Sequence, residues 1–543
     1  MNLSLTRSDR MASRRGLAAM CGLLALSAVA APTQAQCSPQ ELAKLIASDP
    51  AAGDIFGCSV AASGDTAVVG NYYDVHSGLT DAGSAYVFVR AGGVWTQQTK
   101  LTASDAAASD QFGYSVAISG ETIVVGARYD SHVGVSYAGS AYVFTRTGGV
   151  WSEQAKLIAS DAAGSDYFGN SVAVSGDTAV VGSYYDTHAG GSDAGSAYVF
   201  VRSGVLWTQQ AKLTASDAAV EDYFGISVAL SGDTAVVGAY YDDHAGGTYA
   251  GSAYVFVRTG TFWVEQTKLL ASDAAANDYF GTSVAVSGDT AVVGAPNDDH
   301  SIPVKSNAGS AYVFVRAGVL WTQQTKLTAS DAAEFDNFGT SVAVSGDTVV
   351  AGADSDGHAA GLRAGSAYVF TRTGVEWIQR TKLIASDAAA NDNFGNSVAV
   401  LGDTAVVGAY DDNLAGGIAA GSALVFDLCC LDSDGDGTRN CDDDCPNDAS
   451  KIAPGVCGCG VADTDTDTDA DGLSDCVDNC PTVANADQAD ADNNGVGDLC
   501  VNAPGSQTNP ACGQQGSTCG MGMAGLLPMM FLMLRWVRPT RRR

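Results

Sequence analysis

Two acidic loops in the C-terminal third of the chain carry oxygen donors at a spacing that suits a divalent cation. Each loop has oxygen-bearing side chains at positions 1, 3, 5, 9 and 12 and a glycine at position 6, and a shorter third copy follows. Calcium takes about six to eight oxygen ligands, and a glycine lets the chain turn sharply around the ion. The sequence therefore predicts calcium as the bound ion. The predicted ligands are Asp432, Asp434, Asp436, Asn440, Asp443, Asp467, Asp469, Asp471, Asp475, Asp478, Asp490, Asp492, Asn494 and Asp498.

These loops differ from the helix–loop–helix calcium hand. Position 12 is Asp443 or Asp478, where that hand carries a bidentate Glu, and no amphipathic helix pattern flanks either loop. The alternative is a solvated acidic linker without a bound ion. The repetition of Asp-x-Asp-x-Asp-Gly, with glycine and cysteine in phase, favours binding loops.

Cysteines concentrate around the acidic loops, with eleven of the 14 at or after residue 429. This clustering is typical of an exported disulfide framework. Three close pairs leave zinc as an alternative: Cys441/Cys445, Cys457/Cys459 and Cys476/Cys480. The neighbouring donors are hard carboxylates without a histidine, which favours calcium and disulfides over zinc. Spacing alone does not define the disulfide connectivity.

A second set of polar residues recurs through the larger, N-terminal part of the chain. Every histidine lies two residues after an aspartate, giving the pairs Asp74/His76, Asp130/His132, Asp186/His188, Asp242/His244, Asp298/His300 and Asp356/His358. A catalytic base is needed once, among unlike neighbours. Six copies therefore predict a loop device, in which Asp caps a turn and His packs or hydrogen-bonds beside it. A weak metal ring and a catalytic role are the alternatives.

Two further aspartates recur in all seven copies of the same repeat. Examples are Asp217, in an Ala-Ser-Asp sequence, and Asp222, two residues before a Phe-Gly pair. We expect both to cap turns, with calcium binding as the alternative. The recurrent tryptophans and tyrosines are interpreted as packing at the rim of the fold before ligand stacking.

The repeat itself supplies the elements that position these residues. Its marker, Phe-Gly, recurs every 56 residues, with one spacing of 58 that marks a loop insertion near Ile302. The phenylalanines are Phe56, Phe112, Phe168, Phe224, Phe280, Phe338 and Phe394. Each copy contains four short β-type runs separated by turns, and continuous apolar runs such as residues 234–239 predict strands covered on both faces. Four strands per unit at this period predict an all-β fold, the β-propeller.

The two ends of the repeat array predict how the ring closes. The seventh copy stops after its third strand, at residues 421–428, and the missing fourth strand precedes the first Phe-Gly, at residues 40–46. We therefore expect residues 40–46 to complete the last blade of a seven-bladed propeller of four-stranded blades over residues 36–428. Closure would also remove exposed sheet edges, which an open rod retains.

The phrases Phe-Gly-x-Ser-Val-Ala and Val-Val-Gly-Ala resemble FG-GAP repeats, the unit of the integrin alpha-chain propeller. Residues 293–296 supply the literal Gly-Ala-Pro, and the resemblance covers about residues 40–428. It implies the propeller fold and leaves function open, since propellers host many activities. Many such repeats carry an Asp-rich calcium loop between the first two strands. Here that loop is reduced to Ser-Gly-Asp-Thr, so we do not assign a calcium site to Asp177, Asp233 or their equivalents.

The acidic segment at residues 429–500 resembles thrombospondin type 3 repeats. The phrases Asp444-Cys445-Pro446 and Asn479-Cys480-Pro481 carry the likeness. The resemblance implies an irregular stalk that is wrapped around calcium and stapled by disulfides, in agreement with the scarcity of large apolar residues. A disulfide from Cys37 to Cys429 or Cys430, across the closure of the ring, is a further hypothesis.

Both ends of the chain resemble targeting segments. Residues 1–35 have four arginines, an apolar stretch and small residues before a cleavage point, which predicts a secretory signal peptide. After a linker at 501–519, residues 520–543 combine a short apolar run with terminal arginines. That run is shorter than the roughly 20 residues that span a bilayer. It resembles a bacterial C-terminal sorting signal, and a plain membrane anchor is the alternative.

The charge of the chain bears on its partners. The formal net charge is −32, which disfavours nucleic acid. We expect a monomeric protein at the cell surface, the outer envelope or outside the cell, in contact with a membrane only through its C-terminal segment.

Near-identical blades without a unique catalytic constellation predict a non-catalytic, calcium-binding adhesion or interaction protein. Its propeller loops would contact surface proteins or glycans. The alternatives are a hydrolase or lyase that acts on polysaccharide through paired carboxylates, and a purely structural envelope element. An enzyme would need one blade to differ at the mouth of the ring, and the fifth and sixth blades deviate most, at residues 302–305 and 354–356.

Overall fold

A computed structural model describes residues 39–428 except 133, 302–303 and 415–416, together with residues 438, 445, 450–452, 466–475 and 477–489. All of these belong to the second of two compact units, residues 37–543. Several predictions lie outside the described residues: the signal peptide, Cys37, Cys429 and Cys430, the metal ligands of the first and third loops, and the segments 501–519 and 520–543. No helix long and apolar enough to cross a membrane occurs in the described part of the chain.

The strands, numbered in chain order, form seven four-stranded antiparallel sheets, the blades. The first strands are β2 (Val60–Ser63), β6 (Phe112–Ser119), β10 (Ser171–Ser175), β14 (Val228–Ser231), β18 (Ser283–Ser287), β24 (Ser341–Ser345) and β28 (Phe394–Leu401). The second strands are β3 (Thr66–Asn71), β7 (Thr122–Ala127), β11 (Thr178–Ser183), β15 (Thr234–Ala239), β19 (Thr290–Ala295), β25 (Thr348–Ala353) and β29 (Thr404–Ala409).

The third strands are β4 (Ser84–Ala91), β8 (Ser140–Thr147), β12 (Ser196–Ser203), β16 (Ser252–Thr259), β22 (Ser310–Ala317), β26 (Ser366–Thr373) and β30 (Ser422–Asp427). The fourth strands are β5 (Val94–Leu101), β9 (Val150–Leu157), β13 (Leu206–Leu213), β17 (Phe262–Leu269), β23 (Leu320–Leu327), β27 (Glu376–Leu383) and β1 (Gln40–Leu45). The insertion of the fifth blade forms a small hairpin of β20 (His300–Ser301) and β21 (Val304–Lys305).

The predicted ring closure is confirmed. Strand β1 pairs antiparallel with β30, from Gln40 opposite Asp427 to Leu45 opposite Ala423, and so completes the seventh blade. The first strands of neighbouring blades contact one another around the whole ring, including β28 with β2. The first strands are therefore innermost and the fourth strands form the rim.

Burial follows from the stacking of blades. The second strand β15 is buried at all six positions, because neighbouring blades cover both of its faces. The outermost strand β17 has two exposed residues, five part-buried residues and one buried residue, because only one of its faces is fully covered. Each apolar cluster combines strands of two adjacent blades, so the core of the ring is divided among the blade–blade seams.

The Phe-Gly pair anchors each seam. Phe224 is fully buried and packs edge-on against Tyr254 and Phe256, with ring centroids 5.5 and 5.9 Å apart. Gly225 has a φ of 92°, and a side chain there would clash with the backbone carbonyl oxygen of Ser196. Only glycine allows the backbones of consecutive blades to approach so closely.

The order of the strands also defines two faces of the ring. Hairpins between first and second strands and between third and fourth strands lie at one end of each blade, here called the lower face. Loops between second and third strands share the opposite end, the upper face, with the loops that connect blades. These two kinds of loop hydrogen-bond each other, as in the bond from the Asn277 amide to the Thr248 carbonyl.

Candidate functional site

The second acidic loop brings three of its predicted ligands together. Oxygen atoms of Asp467, Asp469 and Asp471 lie within 4.8 Å of one another, the one such cluster of potential metal ligands in the described part of the chain. Gly472, at loop position 6, has a φ of 98° and donates its backbone N–H to Asp467 at 2.9 Å. The glycine thus makes the turn that the sequence predicted, within the loop that brings the three carboxylates together.

The remaining two predicted ligands of this loop behave differently from each other. Asp475 accepts hydrogen bonds from the backbone N–H and the hydroxyl of Thr468, at 2.7 and 2.6 Å, and so stabilises the loop. Asp478 is 3% exposed, and its Oδ1 accepts from Cys480 and Gln488 at 2.8 and 2.7 Å. Asp478, at position 12, is therefore buried within the segment, whereas Asp475, at position 9, hydrogen-bonds across the loop to Thr468.

Two buried oxygens of this loop lack a partner. Asp469 Oδ2 and Asp478 Oδ2 have no hydrogen-bond donor among the described residues. Loss of hydration raises the pKa of Asp469, and the charges of Asp471, Asp478 and Asp467 raise it further. A buried carboxylate oxygen without a donor is unfavourable, and a divalent cation would satisfy such oxygens and offset their repulsion. The donor set therefore fits calcium.

Two cysteines near the acidic loops lie within the described residues. Cys445 and Cys480 are buried, and each is in a disulfide. Cys441 and Cys476, their neighbours in the close pairs, lie outside the described residues.

The lower face carries ion pairs where many FG-GAP repeats carry calcium. Asp233, the single carboxylate of its loop, accepts a hydrogen bond from Arg258 Nε at 2.6 Å. The same guanidinium donates to Thr178 of the preceding blade at 3.1 Å. An arginine therefore supplies the positive charge that a calcium ion would bring to this carboxylate.

The repeated histidines hold loops, as predicted. In five of the six copies the Nε2 atom lies 2.9 to 3.1 Å from the carbonyl oxygen of a glycine, for example Gly251 opposite His244. His244 Nδ1 also accepts from the Gly246 backbone N–H at 3.0 Å. Both ring nitrogens are thus engaged within one loop, which favours the structural interpretation over a metal ring or catalysis.

The aspartate before Phe-Gly caps a turn in every copy. Asp222 accepts from the Ala219 backbone N–H at 2.6 Å, and its six equivalents accept in the same way. Burial raises the pKa of Asp222 to about 6, the capping bond opposes this shift, and the charge of Asp242 adds to it.

The Ala-Ser-Asp aspartate has a different role from the predicted cap. Asp217, in the loop that enters the fourth blade, accepts from the Tyr254 hydroxyl and pairs with Lys268, both at 2.8 Å. Lys268 also pairs with the buried Asp242 at 2.8 Å. Burial alone would lower the pKa of Lys268, but its bonds to both carboxylates raise it. We call this Lys–Asp–Asp group the seam latch.

The seam latch occurs at all seven seams, with Lys44, Lys100, Lys156, Lys212, Lys268, Lys326 and Lys382 as its cations. Sequence reasoning missed it, although the exact repetition of the lysine in phase with both aspartates was available as a marker. The recurrent tyrosines, such as Tyr254, belong to this buried seam and not to the rim. The tryptophans do lie at the rim, where Trp263 donates to Gln210 of the preceding blade at 2.9 Å.

One half of the upper face carries a continuous cluster of aromatic rings that the repeat does not require. It contains thirteen of the 20 tyrosines, all contributed by the first five blades or the loops that lead into them. We call it the tyrosine arc: Tyr72, Tyr73, Tyr114, Tyr129, Tyr137, Tyr167, Tyr184, Tyr185, Tyr223, Tyr240, Tyr241, Tyr249 and Tyr279. These rings are part-buried, except that Tyr137 is 46% exposed.

Ring contacts link the arc from blade to blade. Tyr223 packs against Tyr185 of the preceding loop and Tyr241 of the following one, each with centroids 5.0 Å apart. Arg128 bridges a gap between rings, with its guanidinium 3.5 Å from the Tyr114 centroid and 4.7 Å from that of Tyr129. The arc is thus one connected surface.

Several tyrosines of the arc have a left-handed backbone. The φ angles of Tyr167, Tyr223 and Tyr279, each just before Phe-Gly, are 56 to 57°. In the last two copies the same position is Asn337 or Asn393, with φ of 56° and 54°. Asparagine tolerates this conformation, whereas a bulky residue is strained by about 1 kcal/mol. The sequence therefore places tyrosine where asparagine would fit the backbone better.

The opposite half of the upper face is mostly polar at the same repeat positions, with Pro296 and Tyr410 as exceptions. We call it the polar semicircle: Asn297, Asn337, Asp354, Arg363, Asn393 and Asp411. Burial raises the pKa of Asp354 to about 6, with Arg363 opposing the shift, and burial also raises the pKa of Asp411. The amide nitrogen of Asn393, oriented to suit its neighbours, donates to Asp411 at 3.1 Å. The upper face is thus aromatic on one side and polar on the other.

The fold and the repeated seams define a class of protein, the seven-bladed propeller of FG-GAP type. The FG-GAP repeat model matches seven segments, residues 39–88, 95–144, 151–200, 207–256, 263–314, 321–370 and 377–426. The chain therefore belongs to the FG-GAP repeat family. The model of the thrombospondin type 3 repeat matches residues 456–488, which include the second acidic loop. No curated protein matches the chain.

Proposed function

We propose that this protein is a non-catalytic, calcium-binding protein of the cell surface or extracellular space that acts in adhesion or interaction. FG-GAP propellers and thrombospondin type 3 repeats together suggest an extracellular or adhesion-type protein. Calcium binding is a general property of both kinds of repeat. The observation that carries the proposal is the cluster of Asp467, Asp469 and Asp471, whose neighbourhood contains two buried carboxylate oxygens without a donor.

Asp467, Asp469, Asp471 and Asp478 would hold the ion in this segment. Calcium would supply positive charge to a stretch that has few large apolar residues and many carboxylates. Disulfides at Cys445 and Cys480 would then limit the freedom of the same stretch. The first and third loops, with the same donor pattern, would repeat this arrangement and give a stiffened stalk over residues 429–500.

Targeting belongs to the same proposal. A signal peptide at residues 1–35 would export the chain, and residues 520–543 would act as a sorting signal or membrane anchor. The propeller loops would then be presented to surface proteins or glycans outside the cell, with the stalk as a spacer. A monomer suffices for this role.

Calcium titration of the full mature chain tests the proposal. We expect saturable binding by calorimetry, together with protection of residues 429–500 from protease that EDTA abolishes. Replacing two ligands, Asp469→Asn and Asp478→Asn, should weaken binding at the second loop at least tenfold. Asp233→Asn is the matched control, because its carboxylate pairs with Arg258. Equal protease sensitivity with and without calcium would contradict the proposal.

A second candidate function is the hydrolysis of polysaccharide, and the polar semicircle is the observation that favours it. Asp354 and Asp411 both have raised pKa values, which a general acid requires. They occur in the sixth and seventh blades, whereas the other blades have no carboxylate at those two repeat positions. Release of reducing ends from polysaccharides, lost in Asp354→Asn, would establish this activity.

A further inference from the structure

We propose that the tyrosine arc and the polar semicircle together bind an uncharged polysaccharide chain at the upper face of the propeller. The inference rests on the proposed function, in which propeller loops contact a ligand, and it specifies the face of the propeller and the chemical class of that ligand. No residue of this site takes part in the seam latches or in the acidic loops.

The extent of the arc favours a polymer over a small ligand. Neighbouring rings have centroids 4.2 to 6.0 Å apart and follow one another from the first blade to the loop that enters the fifth. A single monosaccharide would cover one or two rings. A chain of repeating sugar rings could contact several blades at once, and its binding would gain from simultaneous engagement.

The tyrosine arc and the polar semicircle match the two kinds of surface that a sugar ring presents. A pyranose ring presents C–H groups on its faces and hydroxyls at its edges, and tyrosine offers an aromatic face with a hydroxyl at its end. Burial raises the pKa values of Tyr184 and Tyr240, so their hydroxyls stay protonated and can donate. The amides and carboxylates of the polar semicircle supply further donors and acceptors for hydroxyls.

A buried acceptor near the arc lacks a partner. Asn170 lies three residues after Tyr167 and is 6% exposed. Its amide nitrogen donates to the Ile226 carbonyl at 3.1 Å, while its Oδ1 has no donor among the described residues. A buried acceptor of this kind is unfavourable without a hydrogen bond, and a hydroxyl group of a ligand would satisfy it.

Backbone strain supports a ligand-binding role independently. Tyr223 and Tyr279 occupy the left-handed position that Asn337 and Asn393 fill elsewhere in the ring. The two asparagines therefore show which residue fits this backbone conformation with little strain. The first two copies have Ile55 and Gln111 at this position, with φ of 61° and 58°, so the fold accepts a strained residue here. The three tyrosines follow one another in consecutive copies and place their rings side by side at this strained position, which favours a function of the rings.

The net charge of the propeller distinguishes between anionic, basic and uncharged ligands. The propeller, residues 39–428, has 41 Asp and Glu against 17 Lys and Arg, and the exposed Glu221 and Asp243 flank the arc. Anionic polysaccharides are therefore repelled. A basic protein segment would be attracted, but the guanidinium of Arg128 already lies against the arc and that of Arg363 acts on the carboxylates of the polar semicircle. An uncharged chain with hydroxyls suits both halves best.

Binding of polymers to the full mature chain in calcium buffer tests the inference. The probes are dextran, mannan and laminarin as neutral polysaccharides, alginate as an anionic one and polyarginine as a basic peptide. We expect at least one neutral polysaccharide to bind and the double variant Tyr223→Asn, Tyr279→Asn to bind it at least tenfold more weakly. Its melting temperature should be unchanged or higher, because the strain is relieved. Leu362→Ser, at an exposed residue of the same face, is the control and should bind like the wild type.

Three results would overturn the inference: equal affinity of the double variant and the wild type, binding of polyarginine or alginate alone, or binding of none of the five polymers. Calcium-dependent protease protection is measured in the same samples. Its loss would count against the proposed function, whereas its retention beside any of these three results would count only against the glycan site.

Discussion

The six blades formed by consecutive strands and the seventh blade, formed by both ends of the propeller sequence, share one architecture but not one set of polar contacts. The seventh keeps the seam latch, since Lys44 pairs with Asp387 and Asp412 at 2.6 and 2.5 Å. It lacks the rim tryptophan and the lower-face arginine, whose positions hold Pro39 and Leu428. Closure of the ring therefore depends on apolar burial and the upper-face latch, with fewer polar bonds at the rim.

The difference is also visible in the neighbours of the seventh blade. Trp95, in the first blade, has no acceptor for its indole N–H among the described residues, whereas Trp151 donates to Gln98 at 2.9 Å. The residue of β1 that corresponds to Gln98 is Leu42. At the lower face, burial raises the pKa of Asp403, and the charge of Asp427 raises it further. Leu428 occupies the position of the arginine that pairs with the equivalent carboxylate in the other blades. The blade that β1 completes therefore lacks bonds at the rim and the lower face that the other blades have.

Removal of β1 is expected to have the largest effect on the stability of the propeller. A mature chain that begins at residue 50 lacks the strand that covers β30 and loses Leu45 and Ala47, both 2% exposed. We expect a loss of at least about 5 kcal/mol from the lost core and the unpaired edge, seen as a low and broad thermal transition. Adding a peptide of residues 37–49 in trans should restore the transition, and a scrambled peptide should not. A truncated chain that melts like the full one would refute the role of β1.

Strand order, blade number and this closure could be predicted from the sequence, because Phe-Gly and the tryptophan mark the phase of each copy. The side-chain bonds that join the blades could not be predicted in this way. Asp217 reads locally as a turn cap, and only the folded ring shows Tyr254 and Lys268 beside it. The tyrosine arc was missed for the opposite reason, since its residues break the repeat and fall at five different repeat positions. At the acidic loop, sequence spacing predicted the cluster at Asp467 but not the burial of Asp478.

An internal seam can be strengthened by removing a buried charge. Burial raises the pKa of Asp278 to about 7, the Ala275 capping bond and Lys326 oppose this, and Asp298 and Asp273 add to it. Its pKa in the unfolded chain is lower, so the folded protein loses stability as the pH rises from about 4 to 7. With allowance for partial solvation, Asp278→Asn should stabilise by roughly 2 kcal/mol at pH 7.5 and little at pH 4.5.

Asp273, in the same loop, is the control, because its pKa is shifted in the opposite direction from that of Asp278. Burial opposes the shift at Asp273, but Lys326 and Tyr312 lower its pKa. The Asp273 carboxylate stabilises the folded protein at pH values above its unfolded pKa, and this stabilisation is lost only as the pH falls through its folded pKa. Asp273→Asn should therefore destabilise the protein equally at pH 5 and 7.5. Urea denaturation across this range measures both variants. The same pH slope for Asp278→Asn and the wild type would contradict the assignment.

The smallest effect is expected at the closing seam, where one side chain can make the seventh blade resemble the others. Leu42 is 41% exposed and faces the position of the Trp95 indole N–H by analogy with Gln98 and Trp151. Leu42→Gln would supply the missing acceptor and should stabilise the propeller by about 1 kcal/mol, the usual net value of one hydrogen bond. Leu42→Ala removes the same apolar surface without adding an acceptor and is the matched control. If both variants denature at the same urea concentration, the missing rim bond does not weaken the closing seam, and closure depends on the latch and the core alone.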